Sequence, residues 1–160
     1  MSGESKTERA MTAEERRRLL ELRPSFLFRQ RRRDADRELE QGVVEVFDFE
    51  VLRAWDMNGC APPCCPHIYL FQVGFRKYVY VESWTAFNYP HGQFPRRRII
   101  IVRSPIGKRI LSSSAEGQVV PLEDSPFDPA TEYFSFSGDT ECEILRAEDI
   151  PPEMWSKLAP

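Results

Sequence analysis

Apolar and polar residues alternate most regularly in the middle of the chain, and that alternation predicts a sheet. In Val46-Phe47-Asp48-Phe49-Glu50-Val51 three apolar residues alternate with two acids. This is the pattern of a strand with one buried and one wet face, beginning near Val43 and ending near Trp55. Two stronger runs follow, His67 to Phe75 and Lys77 to Trp84. In the first, Tyr69, Phe71, Val73 and Phe75 fall on one face and Ile68 and Leu70 on the other. In the second, Tyr78, Tyr80 and Trp84 oppose Val79 and Val81. A hairpin apolar on both faces needs cover on both sides, from a helix, a second layer of sheet or a partner.

The pattern continues through Ile99-Ile100-Ile101-Val102, a fully buried strand. Ser104-Pro105-Ile106-Gly107 then suits a tight turn, with a return strand from Lys108 to Leu111. Ser112-Ser113-Ser114 is expected to leave the sheet as a polar loop. A short strand is expected in Val119–Leu122, and a last hairpin in Glu132–Phe136 and Glu141–Leu145. Pro151 to Leu158 offers a short closing helix.

The first 42 residues follow a different rule. Residues 1–11 read as a disordered lead-in. Thr12-Ala13-Glu14-Glu15 fits a capping box, which predicts a helix to about Arg23. Pro24 interrupts it, and Ser25 can cap a second helix to Gln41, with Gly42 at its left-handed cap. Between Arg29 and Glu40 only Ala35 and Leu39 are apolar. A helix so polar all round is not expected to pack on its own core. Its arginines, Arg29, Arg31, Arg32, Arg33 and Arg37, are therefore candidate partner contacts, together with Tyr78, Tyr80 and Trp84 of the hairpin.

These elements define an α+β protein: a charged two-helix arm (1–42) and a β domain (43–160) of about seven strands. The sheet is mainly antiparallel, a roll or open barrel, with a short C-terminal helix.

Charge and cysteine usage narrow the function classes. The net charge of −3 provides no global field for nucleic acid. No apolar run reaches the about 18 residues of a membrane span, and Met1 to Arg9 lacks the apolar stretch of a secretory signal. The expected setting is intracellular and reducing, the cytoplasm or an organelle matrix such as that of the mitochondrion, with reduced thiols or metal ligands rather than disulfides.

Three groups of residues suggest chemistry. Cys60, Cys64, Cys65 and His67 sit in one proline-stiffened loop and are zinc-type ligands. Cys142 or His91 would complete a tetrahedral site. The spacing is no standard knuckle, and buried structural cysteines explain it as well. Zinc is thus the one cofactor candidate. The same thiols with His67 or His91 would make a nucleophilic pair, for which the sequence supplies no orienting third group. Arg96-Arg97-Arg98, with Arg76, Lys77 and the hairpin aromatics, would make a stacking surface for single-stranded RNA, or simply a solvated strand end.

No phosphate-binding glycine loop or serine nucleophile elbow is found in the sequence. The expectation is a non-enzymatic accessory or structural subunit of a protein or ribonucleoprotein assembly. It would contact protein in preference to RNA through the helical arm and the aromatic hairpin. The alternatives are a barrel or cone module with a pocket lined by Tyr69, Phe71, Tyr78, Tyr80 and Trp84, and a zinc- or Cys-His-dependent enzyme.

Overall fold

The computed structural model describes residues 5–22, 29–57, 67–83, 89, 92–126, 141–150 and 152–158. Among them are nine strands and three α-helices: β1 (Ser5–Ala10), α1 (Ala13–Glu21), α2 (Arg29–Gln41), β2 (Val43–Glu50), β3 (Arg53–Asp56), β4 (His67–Gly74), β5 (Lys77–Ser83), β6 (Arg96–Arg103), β7 (Ile110–Val119), β8 (Leu122–Asp124), β9 (Cys142–Arg146) and α3 (Pro152–Leu158). The class is α+β and the sheets are mainly antiparallel. The strands fall into two sheets, ordered β1-β2-β6-β7 and β8-β3-β4-β5-β9.

Strand periodicity builds the layers. In β2, Phe47 and Phe49 point to one face and Val44 and Val46 to the other. In β6, Ile99 and Ile101 oppose Val102 in the same way. The first set meets Tyr69, Phe71, Val73, Val79 and Val81 of the second sheet in an inter-sheet core. The opposite face of the second sheet carries Trp55, Met57, Ile68, Leu70, Tyr78 and Tyr80, covered by Ile150 and by Leu158 of α3. The opposite face of the first sheet packs Val44, Val102 and Leu111 on Leu19 of α1 and Ala35 of α2. The order is thus helices, sheet, sheet, helix, and both faces of the β4–β5 hairpin find their cover within this chain.

The run from Val43 to Trp55 is two strands rather than one. The amide of Val51 donates to Arg97 O at 2.7 Å in the first sheet, and the amide of the next residue, Leu52, donates to Gln72 O at 2.8 Å in the second. The chain changes sheets across a single peptide bond.

Two local expectations are overturned. Residues 5–10 are not a disordered lead-in: they pair antiparallel with β2, Ser5 opposite Asp48 through Ala10 opposite Val43. Ser112–Ser114 do not leave the sheet but stay in β7, opposite Val102, Ile101 and Ile100. In both cases the order comes from backbone pairing to an adjacent buried strand, which side-chain polarity does not report. The capping box is present as read: Glu15 N donates to Thr12 Oγ1 at 3.2 Å, and Thr12 N donates to Glu15 Oε2 at 2.8 Å. Gly42 closes α2 at φ 62°. Residues 132–136 of the expected last hairpin lie outside the described residues.

Candidate functional site

Helix α2 is docked by an anchor that is not apolar. Ala35 and Glu38 are 5% and 1% exposed, and Leu39 is half-buried beside them. A buried carboxylate needs donors. Glu38 Oε1 accepts from Ile106 N at 2.6 Å and Gly107 N at 2.7 Å. These amides lie in the β6–β7 connection, where Ser104 N donates to Arg109 O at 2.9 Å and Lys108 sits at φ 53°. Arg16 of α1 donates to Leu39 O at 2.9 Å, placing a cation near the C-terminal end of α2. The expectation that this helix does not pack on its own chain is therefore corrected: one charge-assisted contact supplements a narrow apolar stripe.

The outward face of α2, opposite Ala35 and Glu38, carries Arg33 and Arg37, with the exposed Glu40 beside them. Arg31, Arg33 and Arg37 are exposed and Arg32 is half-buried; the side chain of Arg29 lies outside the described residues. Arg33 and Arg37 are one helical turn apart on the same face. Because Glu38 is turned inward, one of the helix's four acids is withdrawn from the surface that carries these arginines.

A second polar centre stitches the sheets together. Arg103, 2% exposed, donates through Nε to Glu45 Oε2 at 2.6 Å and through Nη1 to the Cys142 carbonyl on the other sheet. Its guanidinium lies 4.6 Å from the Phe47 ring centroid. Lys6 reaches Glu45 at 2.6 Å, and Lys108 reaches Glu143 at 2.9 Å. Glu141 accepts from Arg109 Nε at 2.8 Å and from Ile110 N at 2.7 Å. Burial opposes ionisation of Glu45, but hydrogen bonds from Lys6 and Arg103 outweigh it and lower its pKa. Glu143 follows the same logic, with burial overcome by Lys108 and the charge of Arg103. These charges hold two sheets in register, and the central guanidinium is enclosed.

The residues singled out in the sequence are dispersed. Cys60, Cys64, Cys65, Trp84 and His91 lie outside the described residues. His67 opens β4 and stacks on Tyr69, centroids 5.6 Å apart and rings 14° from parallel; its Nδ1 is buried with no hydrogen-bond partner among the described residues. Burial and the nearby charge of Asp56 push the Tyr69 hydroxyl up to about 12. Cys142 is 0% exposed inside the inter-sheet core, where burial pushes its thiol up to about 12; the cysteine loop it was expected to complete lies outside the described residues. Among the described residues no group of three or more His, Cys, Asp or Glu is placed to hold a metal ion.

Tyr78 and Tyr80 are 1% and 0% exposed. They lie in the core under α3, while Tyr69 and Phe71 lie in the core between the sheets, so the four rings do not line one pocket. Nor do the two tyrosines present a face to a partner. The Arg96–Arg98 run is occupied by neighbours: Arg96 by Gly117 O at 3.0 Å, Arg97 by Glu50 at 2.5 Å, and Arg98 by Asp48 and Glu116, each at 2.7 Å. Glu38 and Arg103 were missed. Glu38 carried a faint signal, since it lies three residues after Ala35 and next to Leu39, on the only apolar side of the helix. Among the described residues no helix is long and apolar enough to cross a membrane. No protein-family model, curated protein or solved structure matches the chain.

Proposed function

We propose that this chain is a non-enzymatic interaction subunit, and that the outward face of α2 docks on an acidic surface of a partner protein. The observation that carries this reading is the exposed pair Arg33 and Arg37 on the side of α2 opposite the buried Ala35 and Glu38. Like charges one turn apart slightly destabilise a helix, and Asp36 and Glu40, each three residues after an arginine of the pair, offset this in part.

Two features favour protein over RNA as the partner. The chain as a whole is acidic, and the Arg96–Arg98 stretch spends its charge on Asp48, Glu50 and Glu116. Tyr78 and Tyr80, the rings nearest in sequence to a base-stacking role, are buried. The non-enzymatic reading draws support from the buried charges, since Glu38, Glu45 and Arg103 serve turns and strands.

The test is the double variant Arg33→Glu/Arg37→Glu, used beside the wild type to retain proteins from a native extract. Both positions are exposed, so the urea midpoint should correspond to a change within about 0.5 kcal/mol. The reading predicts a protein that wild type retains at low salt, releases at high salt and that the variant does not hold. The same retained set on both chains overturns it.

A further inference from the structure

Strand β1 is ordered without contributing a residue to the core. All six of its residues are exposed. It is held by its backbone ladder to β2 and by two ion pairs, Lys6 to Glu45 and Arg9 to Glu15, both at 2.6 Å. The cations themselves remain 42% and 41% exposed. Ladder hydrogen bonds contribute little net free energy, because water makes them too, whereas ordering each residue has an entropic cost. A strand with no core side chain therefore gains less by staying than any strand beneath it.

The strand beneath is of the opposite kind. β2 buries Val44, Glu45, Phe47 and Phe49 and keeps β6 on its other side, Glu45 opposite Arg103 through Glu50 opposite Arg98. Arg103 still neutralises Glu45 when Lys6 departs, at 2.6 Å. Departure of β1 thus leaves the first sheet intact. It uncovers a backbone edge flanked by the Glu45 carboxylate and by the ring of Phe47, over which Lys6 lies 5.6 Å from the centroid.

We propose that the outer edge of β2 is a strand-accepting site, that β1 is its resident occupant, and that an extended segment of a partner protein replaces β1, presenting Lys or Arg to Glu45. A replacing strand makes the same ladder that β1 makes, so its advantage over β1 lies in its alternate side chains. Here the selective feature is the cation that Lys6 now supplies. This surface is separate from the α2 face, so either assignment stands without the other.

Hydrogen exchange on the full wild-type chain tests release. Amides of residues 6–10 are expected to exchange about 100-fold faster than those of Ile99–Ile101 in β6. Exchange of both sets at one rate overturns the proposal, and this arm needs no variant. A labelled peptide of residues 3–12 then serves as the probe. It should bind Lys6→Glu/Arg9→Glu protein at least about tenfold tighter than wild type, and the peptide carrying Lys6→Glu should lose about tenfold. Equal, undetectable binding to both proteins overturns the accepting edge. Concentration-dependent dimers of wild type that exchange this strand overturn the partner assignment in favour of a second copy of the chain.

Discussion

The two interfaces of the first sheet are built on different principles. Its inner face meets the second sheet through aromatic and branched side chains, with Phe47, Phe71, Val79, Val81, Ile99 and Ile101 all fully buried. Its outer face meets α2, which offers only Ala35 and Leu39, and the shortfall is made up by Glu38 bonding to two turn amides. The inner interface is non-directional, and its strength scales with apolar area. The outer one depends on a few directed contacts. A helix can therefore sit firmly on a sheet while its composition says that it cannot.

The sharpest way to break this contrast is on the apolar side. Phe71→Ala removes a ring in contact with Phe49 and Phe94, at centroid distances of 6.0 Å each. It should cost about 3–5 kcal/mol in urea unfolding, by lost transfer energy and by the cavity left behind. A cost near 1 kcal/mol would mean that the sheets repack freely, contrary to a close-packed interface.

The next test is on the directed side. Glu38→Ala leaves the Ile106 and Gly107 amides without their acceptor and should cost about 2–3 kcal/mol. Exchange protection should fall at those two amides first. Glu38→Gln keeps an acceptor oxygen and should recover part of the loss. Equal behaviour of the two substitutions would show that shape, rather than hydrogen bonding, seats the helix.

The smallest expected effect separates the faces by acid. The Arg9 hydrogen bond lowers the Glu15 pKa, and the Arg98 hydrogen bond lowers that of Asp48. Glu45 and Glu143 are lowered as well, with their cations outweighing burial. Groups depressed in the folded state bind fewer protons there than in the unfolded chain. Their contribution is complete above the unfolded carboxylate pKa of about 4, and it is lost as pH falls through the lower folded values. Urea midpoints should be flat from pH 7 to about 5 and fall below about 4. Phe71→Ala should shift that curve down without changing its shape, and Glu45→Gln should flatten its acid limb.

Much of the fold was legible because local patterns report local choices. Thr12 with Glu15 marked the start of α1, Gly42 marked the end of α2, and the alternation around Tyr69 and Tyr80 marked a hairpin covered on both faces. What was not legible depends on partners distant in sequence. β1 and the serines of β7 are strands because buried neighbours offer them backbone groups. The division between β2 and β3 left one sign, the break of the Phe47-Phe49-Val51 alternation at Leu52-Arg53-Ala54-Trp55, which polarity alone does not distinguish from a frayed strand end. At the candidate surface Arg33 and Arg37 of α2 were legible as exposed. Tyr78 and Tyr80 were misassigned, because an aromatic residue on a strand looks the same whether a partner or the chain's own helix covers it.

The change of sheet between Val51 and Leu52 has a consequence for how the protein is made. The chain visits the first sheet with β1 and β2, the second with β3 to β5, the first again with β6 and β7, and the second again with β8 and β9. Neither sheet is a continuous stretch of polypeptide. A ribosome-bound chain that has delivered only the central hairpin holds Phe47 and Phe49 with no β6 beside them, so the apolar face of the hairpin must wait for later synthesis. Such non-local pairing makes folding slow, and the half-made product is a natural client for chaperones.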